Sequence, residues 1–495
     1  MERVTGMDAA FLDMETSTMH LHIVGVLVLD PGAIPVDELA ARLRSVFVHR
    51  LHLIPPFRWR AVSAPGGLGD PRWVEDPAFD LARHLHRATI GPGADQTALE
   101  RFVGDLASRP LRRDQPLWET WLVDGFADGT VALITKIHHA IMDGAAGGDV
   151  MAALFDLEPE PGPDDEPPPF RGEPMPSAAQ LMAETVPGAW SRTSRLPGVV
   201  ARTVGGLAGS ATAMVRQPGA LAGFAPGTSF NGPLTARRTV AFRHCGLDDL
   251  KQVRAAFATT INDVVLAATT SSLRRYLSDR GVHPLKPLVA SVPVALARTA
   301  DDHGFGNRTS NIMVPLPVQL DDPVEALRSI HQWARGAKAV QQAMGPDLLE
   351  DLLSIVPGLM LTASAQTYSQ LGLGRFHPPL FNAIVSNVPG PPIPLYLAGA
   401  RVVATYPMGP LIANTALNLT VLSQSGDLDV GVIACPDLVD DVEAIAEGFV
   451  AGVAELRAAA AAQEPFAGDG TEPSHPAPSG APRPTSRPRT QGAPR

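Results

Sequence analysis

Residues 158–247 split this chain, and the split limits what it can fold into. "EPEPGPDDEPPPFRGEPMP" (158–176) is acidic and rich in proline. Proline has no backbone donor and a fixed φ, so the stretch reads as an exposed linker rather than packed structure. From Thr185 to Leu247 there is no Asp or Glu. The charged side chains there are Arg192, Arg195, Arg202, Arg216, Arg237, Arg238 and Arg243, set among small apolar residues and glycine. The patterns on either side are those of mixed α/β protein. The expected organisation is an N-terminal subdomain (1–157), a linker and basic crossover (158–238), a C-terminal subdomain (239–463) and a disordered tail (464–495).

In the first half, "HLHIVGVLVLD" (20–30) and "TVALITKIHH" (130–139) read as strands, branched and apolar with polar stops. "VDELAARLRSVF" (36–47) puts Val36, Leu39, Ala40, Leu43, Val46 and Phe47 on one helical face. "TALERFVGDLA" (97–107) opens with Thr97 and Glu100 at the spacing of a capping box. In the second half, "INDVVLAATTSSLRRYLSDRG" (261–281) reads as a helix ended by Gly281. Asp322 is the expected N-cap of the next long helix, with Pro323 at its first position. Residues 416–436 form a hairpin turning near Ser425-Gly426, and "DVEAIAEGFVAGVAELRAAAAA" is a C-terminal helix.

A net charge of −11 argues against a broad nucleic-acid surface. Cys245 and Cys435 supply neither a disulfide framework nor a zinc ligand set, and a reducing cytosol is the expected setting. No apolar run of membrane-spanning length and no N-terminal signal pattern stands out.

The chemistry concentrates in "HHAIMDG" (138–144), at the end of the strand 130–139. Histidine is the side chain best suited to move protons near neutral pH. Successive side chains of a strand point to opposite faces, so one of His138 and His139 faces a reaction space and the other packs inward. Gly144 beside Asp143 allows a sharp turn. A metal site is the first rival, since His20/His22, His49/His52 and His84/His86 are paired. No Cys or carboxylate cluster accompanies them at ligand spacing, so no metal is expected. A covalent serine mechanism is the second rival. "GTSFNG" (227–232) lacks the second glycine of a nucleophile elbow, and "GFGNRT" (304–309) lacks the third glycine of a dinucleotide loop. Without a nucleophile of its own, the histidine activates something the substrate brings, such as a hydroxyl.

"HHAIMDG" matches the HHxxxDG motif of the CoA-dependent acyltransferase superfamily. "MDAAFLDMET" (7–16), "QPLWETWLVDG" (115–125), "TINDVV" (260–265), "SVPVALAR" (291–298), "GNRTSNIMVPLP" (306–317) and "NAIVSNVPGPPIPLYLAGA" (382–400) follow in order. Together they resemble the bacterial wax ester synthase/diacylglycerol acyltransferase family, from Met7 to about Leu456. The resemblance implies an α/β fold: two chloramphenicol-acetyltransferase-like subdomains, mixed sheets flanked by helices, and a channel between them. It implies acyl-CoA as co-substrate with no further cofactor, and a diacylglycerol or long-chain alcohol as acceptor. His139, the second histidine, is the implied general base. Asp143 is implied to point away from substrate and pair with Arg298, fixing the loop.

Each further motif keeps two readings. Pro116, Leu117 and Trp118 are either channel-lining or a strand entry with a buried tryptophan. Asn262 and Asp263 either border the channel or start a helix capped by Thr260 or Asn262. Ser386 and Asn387, in a strand running into a rigid turn, are expected to line the channel. The expected product is a triacylglycerol or a wax ester. The alternatives are an acyltransferase for a specialised lipid or secondary metabolite, and a non-catalytic lipid-binding protein of the same fold. The acid-free arginine segment and the resemblance to proteins of lipid bodies point to a cytoplasmic protein, peripheral on the inner face of the membrane or on lipid bodies.

Overall fold

A computed structural model describes residues 2–4, 6–142, 146–160, 162, 164–185, 194, 198–199, 225–295, 309–344, 353 and 356–463. The tail and most of the acid-free segment lie outside the described residues.

Two six-stranded mixed sheets carry the fold. The first runs Tyr396–Leu397, Ala400–Met408, His22–Asp30, Val131–His138, Trp118–Phe126, Leu85–Ala94. Its neighbours are antiparallel except the last pair, which is parallel. The second runs Thr309–Leu316, Leu288–Ala295, Ala383–Pro389, Leu417–Gln424, Asp427–Ala434, Thr239–Gly246. There, Ala383–Pro389 is parallel to both neighbours and the other pairs are antiparallel. Alternation divides the first sheet cleanly. Val24, Val26, Ala132 and Ile134 turn to a core shared with the second sheet. Leu29, Val131, Leu133 and Ile137 turn to the other face, under Leu39, Leu43, Val46 and Phe47 of the helix Val36–Arg50.

The two halves exchange chain. Strand Ala400–Met408 lies between the second sheet's strands Ala383–Pro389 and Leu417–Gln424 in sequence, yet pairs with His22–Asp30. Tyr396–Leu397 covers only its beginning, at Ala400 and Arg401. Further along, the Thr405 N–H donates to Asp429 of the second sheet at 2.7 Å, and the Thr405 hydroxyl donates to Gln424 Oε1 at 2.8 Å. Where this strand crosses Asp427–Ala434, a Cβ at Gly431 would sit 2.2 Å from the Pro407 carbonyl, so only glycine allows the approach.

The helix Gln96–Ala107 departs from the expected capping box. Its N-cap is Asp95, whose carboxylate accepts from the Ala98 N–H at 2.9 Å. Glu100 instead accepts from the Phe242 N–H at 2.8 Å, and Gln96 donates to the Phe242 carbonyl at 2.6 Å. Strand Thr239–Gly246 is the edge of the second sheet, and these two side chains satisfy its outward backbone groups. A helix dipole would accept any acid in its first turn; the unpaired edge decides where Glu100 points.

Other expectations hold. Thr260 and Asp263 form a reciprocal capping box on the helix Ile261–Ser278, and Gly281 follows with φ 69°. The Asp322 carboxylate accepts from the Val324 N–H at 2.9 Å, capping Pro323–Met344. Ser425 and Gly426, both at positive φ, form the two-residue turn of the hairpin. The C-terminal helix Val442–Ala462 lies against Ile261–Ser278, with Gly448 and Gly452 against Ser272 and Ala268.

Asp429 gives a pH test. Burial pushes its carboxyl up to about 7, against the hydrogen bond from Thr405 that lowers it, with Asp427 nearby raising it. The folded state therefore keeps a proton that the unfolded chain releases near its ordinary carboxyl pKa. Stability from this group falls as pH rises from about 4 to about 7 and stays lost above that window. Asp429→Asn keeps an acceptor for Thr405 and removes the titration. Its thermal midpoint should match wild type at pH 4 and exceed it at pH 8, as read by circular dichroism melts.

Candidate active site

The strand Val131–His138 delivers the histidine pair. Its neighbours fix its register, with His22 opposite His138, and Ile137 opposite both Ile23 and Trp118. The His138 N–H donates to the Leu117 carbonyl at 2.9 Å on one side, and the His139 N–H donates to the Leu21 carbonyl at 2.8 Å on the other. The chain then turns, the Ile141 N–H closing onto the His138 carbonyl at 2.9 Å. His139 is thus the first residue of the turn, its backbone anchored to Leu21.

The two rings part as alternation requires. His138 has no exposed surface. His139 is partly exposed and lies on Phe11, with ring centroids 4.5 Å apart and planes tilted by 32°. Phe11 belongs to the helix Gly6–Met14.

Behind the pair lies a buried polar layer. His138 Nδ1 accepts from the Ala140 N–H at 3.1 Å, so its proton sits on Nε2, which faces Glu15 Oε2 at 3.7 Å. Burial pushes His138 below its ordinary pKa in spite of Glu15, leaving a neutral ring at neutral pH. Burial raises the Glu15 carboxyl, but His138 and the contacting Arg113 guanidinium outweigh it and hold it below its ordinary value. Lys136 is buried on the same strand face. Its ammonium donates to the Leu106 carbonyl at 3.1 Å and the Arg109 carbonyl at 2.9 Å, and pairs with Glu119 at 2.7 Å. His22 Nε2–H donates to the Ala107 carbonyl at 3.1 Å. Lys136 and His22 thereby satisfy the C-terminal carbonyls of the helix Gln96–Ala107. Burial drives the His20 ring, stacked on His22, down to about 4. Among the described residues, no three His, Cys, Asp or Glu side chains are placed to hold a metal ion.

Leu117 and Trp118 have essentially no accessible surface. Trp118 is stacked by Phe47, Phe57 and His84 at 5.6, 4.7 and 4.5 Å. Its indole N–H donates to the Phe57 carbonyl at 2.8 Å, and His84 Nδ1–H donates to the Trp118 carbonyl at 2.8 Å. With Pro116 also buried, this segment braces the histidine strand from the core, matching the reading of a strand entry with a buried tryptophan. Asp263 is likewise buried. Its carboxylate accepts from the Thr260 N–H at 2.9 Å and hydroxyl at 2.8 Å and contacts His331 Nδ1 at 2.8 Å, so it caps the helix; Asn262 beside it is partly exposed. Ser386 and Asn387 are half-buried on strand Ala383–Pro389, opposite Thr420 and Val421. Gly390 then allows the turn, since a Cβ there would meet the Ser423 carbonyl at 2.4 Å. Asp143, Gly144 and Arg298, with their expected pairing, lie outside the described residues.

Glu15, Phe11 and Lys136 carry no role in the sequence reading. Phe11 and Glu15 fall inside the "MDAAFLDMET" motif, a signal of importance without a mechanism. Lys136, one of four lysines in the chain, sits in an otherwise apolar strand. The Trp118 packing yields a stability test. Trp118→Ala should destabilise by ~3–5 kcal/mol, the usual cost of deleting a buried aromatic, visible as an earlier urea midpoint.

Comparison with known proteins gives a consistent picture. The family description "Wax ester synthase/diacylglycerol acyltransferase catalytic domain" matches residues 4–265, and "WS/DGAT C-terminal domain" matches residues 305–457. A Mycobacterium tuberculosis protein named as a diacylglycerol O-acyltransferase is 37% identical over 459 residues, covering 92% of this chain and 90% of its own. A second from that organism is 32% identical over 464 residues, covering 93% and 97%. The solved wax ester synthase/diacylglycerol acyltransferase from Marinobacter aquaeolei VT8 superposes with a TM-score of 0.67 at 25% identity, over 93% of this chain and all of that one. The starter condensation domain of rhizomide synthetase, solved with C8-CoA and Leu-SNAC, shares the fold alone, with a TM-score of 0.54 at 15% identity and coverage of 93% and 94%. On the combined evidence of motif order, sheet architecture and these matches, the chain belongs to the wax ester synthase/diacylglycerol acyltransferase family.

Proposed function

We propose that the protein transfers a long-chain acyl group from acyl-CoA to the hydroxyl of a diacylglycerol or fatty alcohol, with His139 as general base. One observation carries the reading. In a chain of this family, the motif strand buries His138 completely and turns His139 out of the core with its backbone pinned. His139 takes the acceptor's hydroxyl proton as the oxygen attacks the thioester carbonyl. The carbon–sulfur bond then breaks, and the CoA thiolate leaves and recovers the proton from His139. No acyl-enzyme and no cofactor beyond acyl-CoA enters this sequence. Proton transfer of this kind contributes ~10²–10⁴-fold, so positioning of both substrates supplies the rest. Asp143 and Arg298 remain our proposed bidentate pair steadying the turn.

The deciding experiment is thiol release from long-chain acyl-CoA with diacylglycerol or hexadecanol. His139→Ala should abolish nearly all turnover while keeping the wild-type circular dichroism spectrum and melt. His138→Ala should lose stability and only part of the rate. An inactive, well-folded His138→Ala beside an active His139→Ala reverses the assignment. Turnover with neither acceptor points to a specialised lipid or secondary-metabolite acceptor, and tight lipid binding without thiol release points to a binding protein.

A peripheral association with lipid surfaces belongs to the same reading. No helix among the described residues is long and apolar enough to cross a membrane. Support comes from the arginine-bearing acid-free segment and from exposed Leu359, Met360, Leu371, Phe376 and Leu380 in the stretch 358–380. The protein should co-sediment with vesicles containing anionic lipid, less so when Arg192, Arg195 and Arg202 are neutralised. Indifference to both sinks this part.

A further inference from the structure

We infer that Glu15 is a positioning residue for His139, acting through the ring of His138. The inference rests on His139 being the general base.

The connection is a short, buried chain of contacts. Glu15 directly follows the helix Gly6–Met14, whose Phe11 lies on the His139 ring. One helix end therefore touches both histidines, Phe11 on the second and Glu15 on the first. The Glu15 side chain is 10% exposed, and its Oε2 faces His138 Nε2 at 3.7 Å. That exceeds a hydrogen bond, so the attraction is electrostatic in this geometry. On its other side Glu15 contacts Arg113, whose guanidinium also donates to the Leu12 carbonyl at 3.0 Å and so anchors to the same helix.

Glu15 selects the tautomer of His138. A neutral imidazole has one donor and one acceptor nitrogen. A carboxylate facing Nε2 favours the proton there, and Nδ1 is then free to accept from the Ala140 N–H. Ala140 is the residue after His139. The Nδ1 contact fixes the peptide following His139, as the Leu21 carbonyl fixes the peptide preceding it. With the proton moved to Nδ1, two N–H groups would oppose each other, and the turn would lose one of its two clamps. The other charged or titratable groups near this layer are His20, His22, Lys136 and Arg238. Lys136 is engaged with Glu119 and two helix carbonyls. Arg238 is engaged with the Thr18, Thr235 and Arg237 carbonyls. His22 donates to Ala107. His20 faces Glu15 only as a neutral ring in this layer.

The test compares Glu15→Gln, which keeps an acceptor, with Glu15→Met, which keeps length and packing but has none. Both are measured beside wild type and His139→Ala by thiol release. Glu15→Met should lower kcat by about 10- to 100-fold, the scale of a misplaced reacting group, with KM for acyl-CoA changed less than about twofold. Glu15→Gln should stay within about threefold of wild type in kcat, since its amide oxygen still presents an acceptor dipole to His138 Nε2. Independently, ¹⁵N-histidine spectra of the substrate-free protein, with the His138 signals assigned by their loss in His138→Gln, should show the Nε2–H tautomer in wild type and Glu15→Gln. Glu15→Met should show a shift toward Nδ1–H. An unchanged kcat in Glu15→Met, a fall in kcat with the tautomer unmoved, or a raised KM alone overturns the proposal. An active His139→Ala overturns the base assignment instead, and the tautomer comparison then still decides whether Glu15 controls His138.

Discussion

Strand Ala400–Met408 must leave the second half of the chain and hydrogen-bond to His22–Asp30, or the first sheet lacks a neighbour beside the strand that pairs with the histidine strand. Most of what the molecule does follows from that pairing. It places Tyr406 and Met408 in the core common to both sheets. It brings the Thr405 amide within reach of Asp429, and it forces the Gly431 backbone against Pro407. The two halves are therefore joined by backbone pairing and a shared core, and two strands connect the second sheet to His139.

Several polar groups in this interior answer a backbone demand. Glu100 and Gln96 complete the edge strand at Phe242. Lys136 and His22 complete the end of a helix. Buried polar groups are costly unless paired, and these pairings lie in the layer behind His139.

The sequence carried the fold at the level of elements. Branched apolar runs at 20–30 and 130–139 predicted both strands, and strand alternation predicted the opposite destinies of His138 and His139. Short-range chemistry at Asp322 and Ser425-Gly426 predicted cap and turn correctly because each needs only neighbours in sequence, and it narrowed the cap of the helix from Ile261 to Thr260 or Asn262. The misreadings involve partners far along the chain. Glu100 has capping-box spacing, but its partner is Phe242, and no local pattern announces an unpaired sheet edge. Trp118 reads equally as a wall or a brace until Phe47, Phe57 and His84 are seen around it. The exchange of strand 400–408 is invisible for the same reason, since its pattern fits either sheet. The family motifs located the site, but gave Phe11 and Glu15 no task, because a motif records identity and not orientation.

The exchanged strand also imposes an order on biosynthesis. Val131–His138 can pair with its earlier neighbours soon after it is made, but His22–Asp30 must wait for residues up to 408. At ~5–20 residues per second, the 270 residues from His138 to Met408 leave that sheet edge unfinished for about 14 to 54 s on the ribosome. During that interval the nascent chain exposes an apolar, half-paired strand next to the one that carries His138. Slow or interrupted translation after the first half would favour aggregation over a stable half, so the sheet beside His139 is complete only when the C-terminal half has arrived.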